Sequence, residues 1–191
     1  MVEEQKIVVL DNKNLTIHNP KSKIELPKYW DKDYINYKIE LIKNYHYKML
    51  IIFLWYSGVR ITEALNIKKQ DIDFEHYTVV LTWLKSRKYT HRVIPLHPEL
   101  KSLLQMYTAT NNMIDRVFPI TRQRAWQIVK KCLNGHPHQL RHSFAVNWLR
   151  SGGNIYSLYK ILGHSKIQTT MIYLNIVPSD LGKELLKISF R

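Results

Sequence analysis

One stretch of this sequence differs in kind from everything around it. Tyr77-Thr78-Val79-Val80-Leu81-Thr82-Trp83 is rich in β-branched and aromatic residues, a polar tip from Lys85 to Thr90 follows, and Val93-Ile94-Pro95 resumes the apolar pattern. Two such runs around a polar tip predict a β-hairpin within residues 74–96. On either side the apolar residues recur at helical spacing instead, so the hairpin has no long strands to join. The chain is therefore expected to be mainly α with a small antiparallel β-sheet, an α+β fold.

The helices can be placed by their punctuation. Ile35, Ile39 and Ile42, then Met49 to Leu54, predict two helices broken near Asn44 and ending at Ser57-Gly58. Arg60 opens a third, with Ile61, Ala64 and Leu65 on its inner face. Pro98 and Glu99 start another, and Thr121 caps one that runs through Ala125, Ile128, Val129 and Cys132. Asn134-Gly135 breaks the chain before Pro137 opens a helix to about Leu149, which Gly152-Gly153 ends. Asn154, Ser165 and Ser179 are candidate caps for three short helices. Residues 1–30 carry Ile7-Val8-Val9-Leu10, the turn formers Asp11 to Asn14, and two prolines, a pattern open to a hairpin or an extended arm.

A chain of 191 residues suits one domain with an ordinary core. Its 29 Lys and Arg against 15 Asp and Glu leave a net charge of +14, well beyond what solubility requires, which implies a polyanionic partner. The longest apolar run, Met49 to Tyr56, is far short of the roughly 18 residues of a membrane-spanning helix. The first residues, with Glu3 and Glu4 and no long apolar core behind them, do not read as a signal peptide, so a cytoplasmic protein is expected. Cys132 is the single cysteine, which excludes an internal disulfide.

Three segments set polar residues beside apolar helix faces: Ser57-Gly58-Val59-Arg60-Ile61-Thr62-Glu63, Pro137-His138-Gln139-Leu140-Arg141-His142, and Leu162-Gly163-His164 through Thr169-Thr170-Met171-Ile172-Tyr173. His138 and Arg141 are three apart on a helix and can meet one phosphate together. Arg122, Arg124 and Lys130 surround Trp126 on one helix, as a DNA-facing helix would, though a solvated face carries the same pattern. His136, His138 and His142 with Cys132 could be read as metal ligands. Their irregular spacing, interrupted by Pro137, fits a tetrahedral site poorly, and no metal is expected.

Over residues 45–177 the sequence closely resembles the catalytic domain of tyrosine recombinases, the family of phage integrases and Xer-type enzymes, which shares its chemistry with type IB topoisomerases. The resemblance rests on five features in order: an Arg at a Gly-x-Arg-x-x-Glu helix start, a hairpin Lys, His-x-x-Arg-His, Leu-Gly-His, and a Tyr nine positions after that last His. It implies site-specific recombination of double-stranded DNA through a 3′-phosphotyrosine intermediate, without metal or nucleotide cofactor. The implied catalytic residues are Arg60, Lys85, His138, Arg141, His164 and the nucleophile Tyr173. Arg60 and Arg141 would clamp the scissile phosphate, His138 would help deprotonate the nucleophile, and His164 would bind the phosphate. The two arginines and a histidine would favour the phenolate of Tyr173. Glu63 would orient Arg60, and His142 would support the site.

The resemblance leaves several points open. The hairpin tip offers Lys85 first and Lys88 second as the proton donor, with Arg87 where many relatives have lysine; Lys88 and Arg87 then count with Arg122, Arg124 and Lys130 as DNA-binding residues. Relatives carry a helical domain of about a hundred residues before the match. Residues 1–40 are therefore expected to be an N-terminal arm or remnant, 41–177 the catalytic domain, and 178–191 a C-terminal helix or tail that packs on its own core or on a neighbour. Relatives act as tetramers on DNA, so a homo-oligomer (tetramer) is implied, with no membrane partner. Two rival functions are a monomeric topoisomerase and a DNA-binding module without catalysis; the complete residue set argues against the second.

Overall fold

The computed structural model describes residues 7–11, 14–18, 27–85, 88–110 and 115–176. Two strands, β1 (Ile7–Asp11) and β2 (Asn14–His18), pair antiparallel as a hairpin of their own, one of the two forms open to the N-terminal residues. A first helix, α1 (Lys32–Glu40), follows.

The helix α2 (Tyr45–Ser57) forms where the longest apolar run lies. Asn44 caps it by accepting a hydrogen bond from the Tyr47 N–H at 3.0 Å, and Gly58 ends it at φ +61°. Met49 to Trp55 are all buried, so α2 is covered on nearly every face and forms the centre of the fold. Around it pack α1, α4 (Pro98–Thr110) and α6 (Pro137–Arg150), while α3 (Ile61–Asn66) leads into the sheet.

The sheet has the order β3-β4-β5, all antiparallel: a short β3 (Ile72–Asp73) beside the hairpin of β4 (Thr78–Lys85) and β5 (Lys88–Pro95). Val79, Leu81 and Ile94 turn inward and join the main core, the period-two burial of a half-covered sheet. At the far end of the hairpin Lys85 and Lys88 are register partners, and Arg87 lies outside the described residues.

The expected caps fall where the residue types put them, with one exception. Thr121 accepts from the Arg124 N–H at the start of α5 (Arg122–Leu133), and Asn154 accepts from the amides of Tyr156 and Ser157 at the start of α7 (Ile155–Leu162). Ser165 caps nothing. The next helix, α8 (Gln168–Met171), begins after Ile167 and continues into a single 3₁₀ turn over Ile172–Asn175. Ser179 and the tail from 178 lie outside the described residues.

The packed core begins earlier than residue 41. Ile35 and Ile39 of α1 are buried in it, the Trp30 amide donates to Ser143 Oγ on α6 at 2.8 Å, and Arg150 pairs with Asp31 at 2.7 Å. Two isoleucines four apart put one apolar stripe on α1, and that stripe has to be covered. A second, smaller cluster joins Ala145 and Val146 of α6 to Leu158 and Leu162 of α7 and to Tyr173. No helix among the described residues is long and apolar enough to cross a membrane.

Candidate active site

The α2–α3 corner supplies the first arginine. Gly58 takes a positive φ and sits so close to α6 that a Cβ there would lie 2.2 Å from the Phe144 ring. The tight corner places Arg60 at the N-cap of α3, where its backbone N–H donates to Glu63 Oε2 at 2.7 Å and its side-chain Nη1 donates to Glu63 Oε1 at 3.1 Å. Glu63 is 2% exposed and also receives Arg92 from β5, Nη1 to Oε1 at 2.7 Å and Nη2 to Oε2 at 3.0 Å. Burial would raise the Glu63 pKa, but hydrogen bonds and charge from Arg92, then Arg60, hold it below the usual carboxylate range. Glu63 is thus ionised and holds Arg60 through both its backbone and its side chain.

Helix α6 carries the second arginine. Arg141 is buried, and its guanidinium bridges two corners, Nη1 donating to the Gly58 carbonyl at 2.9 Å and Nη2 to the Leu162 carbonyl at 2.7 Å. The ends of α2 and α7 are therefore tied to one cation. Burial, then the charge of Arg60, lowers its pKa to about 10, which still leaves it a cation at neutral pH.

The Leu-Gly-His segment turns at Gly163, φ +62°, and leads to His164. The His164 Nδ1 pairs with Thr170 Oγ1 at 2.8 Å, and Thr170 is fully buried. This bond gives the second threonine of the Thr-Thr segment a physical part: it fixes the imidazole through Nδ1 and leaves Nε2 outside that bond. Burial, then Arg141, Arg60 and Arg92, press the His164 pKa down to about 4. A neutral His164 is expected at pH 7.

The Tyr173 hydroxyl pairs with His142 Nδ1 at 2.8 Å, and the tyrosine is only 1% exposed. Two expectations change here. His142, assigned a supporting part, is the direct partner of the hydroxyl, whereas His138 lies exposed at the rim, its ring 6.3 Å from that of His142. The phenolate is not favoured in this state, because burial raises the Tyr173 pKa and outweighs the lowering by Arg141. The ring belongs to the second apolar cluster, and a buried ring keeps its proton. His142 itself is pressed to about 4 by burial, then by the charges of His138 and Arg141, so it is a neutral partner able to accept the phenolic proton in its Nε2–H tautomer. Partial burial and then Arg141 also lower His138.

The remaining candidates lie around this centre. Arg122 and Arg124 are exposed on α5, and Arg124 hydrogen-bonds the Tyr47 hydroxyl. Lys130 stands 5.1 Å from the centre of the exposed Trp126 ring. Among the described residues no group of His, Cys, Asp or Glu is arranged to hold a metal ion. Arg92 is the residue that the motif order misses. It alternates with the exposed Val93 and so shares a strand face with the buried Ile94, but nothing in the sequence pairs it with Glu63.

The neutral histidines carry a stability consequence. His142 and His164 titrate near 4 when folded and near ~6.5 when unfolded. Their contribution is complete above the unfolded value and is lost as pH falls from about 6.5 toward 4, because the unfolded chain binds the extra protons. The melting temperature should drop across that window. In His164→Gln the drop should be smaller, and an identical pH profile for the two proteins would contradict it.

Comparison with known proteins gives a consistent picture. The phage integrase family profile matches residues 31–179. Tyrosine recombinase XerA of Pyrococcus horikoshii is 31% identical over 93% of this chain and 67% of its own length. A tyrosine recombinase of Pseudothermotoga lettingae is 29% identical over 86% of the chain and 62% of its own length, and XerA of Saccharolobus solfataricus is 32% identical over 73% and 49%. The chain thus spans about half to two thirds of the curated relatives it matches. Among solved structures, XerA recombinase superposes with a TM-score of 0.67 at 24% identity, covering 91% of this chain and 68% of that one. The catalytic domain of bacteriophage HP1 integrase gives 0.66 at 24% identity, covering 85% and 95%. XerH bound to its difH substrate in a post-cleavage complex gives 0.67 at 20% identity, covering 87% and 55%. These likenesses establish the fold.

Proposed function

The chain belongs to the phage integrase family, and from that premise we propose that it cuts and rejoins double-stranded DNA as a site-specific tyrosine recombinase. The observation that carries this reading is that Arg60, Arg141, His164 and Tyr173, drawn from three separate segments, come close enough to act on one another. Arg141 feels the charges of Arg60, Glu63 and Tyr173, and His164 feels those of Arg141 and Arg60. Two cations and a hydrogen-bonding imidazole beside a tyrosine hydroxyl suit a pentavalent phosphate, whose equatorial oxygens gain charge in the transition state.

The chemistry then balances without a cofactor. The Tyr173 oxygen attacks phosphorus, its proton passes to a histidine, the bond from phosphorus to the 5′ oxygen breaks, and that oxygen takes a proton from the hairpin lysine. The product is a 3′-phosphotyrosine and a free 5′ hydroxyl. Attack by a 5′ hydroxyl reverses the step and reseals DNA, so the energy of the phosphodiester is kept. The His142–Tyr173 bond makes His142 the first acceptor of the proton from the buried state, with His138 at the rim next to it. The names of the relatives support strand exchange over relaxation by a monomer.

In this reading the catalytic domain includes α1, and several copies, a tetramer by the family's habit, assemble on DNA in the cytoplasm. Arg122, Arg124 and Lys130 on α5 contact phosphates. The deciding experiment incubates the protein with a pool of nicked duplexes randomised around the nick. Strands that remain attached to protein on a denaturing gel support the reading, and absence of any attached strand opposes it.

Lys85 is assigned as the proton donor to the leaving oxygen, with Lys88, its register partner, as second choice. Lys85→Ala should slow cleavage far more than Lys88→Ala, and a 5′-thiol leaving group, which needs no proton, should restore the slow variant. Equal slowing by both changes would remove the assignment.

A further inference from the structure

The hairpin delivers one more residue into the site. The Arg92 side chain is 12% exposed, against 37% for Arg60, yet both arginines hold the same buried carboxylate. We propose that Arg92 is a positioning residue for the phosphate clamp: by taking the larger share of Glu63 it leaves the charge of Arg60 available to the scissile phosphate, and through the Ile161 carbonyl it fixes the corner that carries His164. The proposal rests on the reading of this site as a DNA-cleaving one.

The charge count favours this division of labour. Arg60 and Glu63 alone would form a neutral pair, and a neutral pair attracts phosphate weakly. Adding Arg92 makes the trio +1, and Arg141 brings the site to +2. The distances agree, because Arg92 binds both carboxylate oxygens, at 2.7 and 3.0 Å, whereas the Arg60 side chain reaches one oxygen at 3.1 Å. A bidentate partner binds more firmly than a single contact. The less exposed arginine balances the carboxylate, and the more exposed one keeps its charge for a phosphate.

The second hold is on the backbone. Arg92 Nε donates to the Ile161 carbonyl at 3.2 Å, one residue before the Leu162 carbonyl that Arg141 binds. Gly163 lies against the same guanidinium, and a Cβ there would come within 2.7 Å of Arg92 Cζ. The glycine of Leu-Gly-His suits its positive φ and leaves room for the guanidinium beside it. One side chain on β5 connects the setting of Arg60 to that of His164.

The test measures single-turnover formation of the covalent complex on a nicked duplex recovered from the pool, for R92Q, R92K, E63Q and the double variant R92Q/E63Q. R92Q should slow formation by about 100-fold with noncovalent affinity for the duplex unchanged within about threefold, and R92K, which keeps the charge, should slow it by no more than about tenfold. In the E63Q background no carboxylate needs balancing and only the hold on the Ile161 carbonyl is lost, so adding R92Q should cost about tenfold or less, well short of its cost in the wild type. A residue that only packs would slow R92K and R92Q alike and would cost as much with E63Q as without it, and either result overturns the proposal. Should R92Q alone not fold, the comparison of R92Q/E63Q with E63Q decides in the same way. A wild-type protein that forms no complex counts against the proposed function. Wild-type activity together with an unimpaired R92Q counts against Arg92 alone.

Discussion

Tyr173→Phe is expected to abolish covalent attachment to DNA while noncovalent binding stays within about twofold of the wild type. The change removes one oxygen from a ring that the second apolar cluster already packs on, so shape is conserved. The cost to folding is the hydrogen bond to His142, about 1 kcal/mol, with the imidazole nitrogen left to find another partner. Loss of a nucleophile, by contrast, removes the covalent route and should lower the rate by several orders of magnitude. Mass spectrometry of the wild-type complex should place the DNA on Tyr173. The exposed Tyr156 and the nearby Tyr159 serve as controls, since Phe at either should leave attachment unchanged. An attached strand in Tyr173→Phe, or DNA found on a different residue, would refute the assignment.

The buried position of Tyr173 makes that experiment informative about activation too. A hydroxyl held at 2.8 Å by His142 and covered to 1% exposure has to emerge before it can reach a phosphate. Attachment by the wild type would therefore report movement of the 3₁₀ turn over Ile172–Asn175 as well as chemistry.

Arg141→Ala should fail in two ways at once, with attachment reduced by about 10³-fold and stability reduced by roughly 2–4 kcal/mol. The chemical loss follows from removing one of two clamping cations. The loss of stability follows from the carbonyls of Gly58 and Leu162, which the guanidinium satisfies at 2.9 and 2.7 Å in a buried setting. Arg141→Lys keeps the charge but cannot span both carbonyls with a fixed fork, so it should be intermediate in melting temperature and still far below wild type in attachment. Thermal melts and the same gel assay read the two effects separately. Attachment by Arg141→Ala within tenfold of wild type would remove Arg141 from the clamp.

The three arginines show how differently the same residue type can be employed. Arg60 gains its setting from a local device, a helix start with Glu63 three residues on, and such devices are visible in sequence. Arg141 and Arg92 gain theirs from carbonyls and carboxylates contributed 21 to 83 residues away. No spacing rule encodes those distances.

What the sequence determined by itself was whatever depends on neighbours a few residues apart. Helix spacing, the β4–β5 hairpin, the break at Asn44, the caps at Thr121 and Asn154, and the motif set around Arg60, His138, Arg141, His164 and Tyr173 are all local in that sense, because a 3.6-residue period or a cap acts within one turn. The extent of the core was less legible, since the short α1 shows its purpose only when Ile35 and Ile39 are seen covered by other helices. Three features of the site were decided by the tertiary structure alone. His142, rather than His138, receives the Tyr173 hydroxyl; burial keeps that hydroxyl protonated against the charge of Arg141; and Arg92 reaches Glu63 of α3 from strand β5. Each depends on how far a group is removed from water and on which distant segment closes over it, and those quantities exist only once the chain has packed.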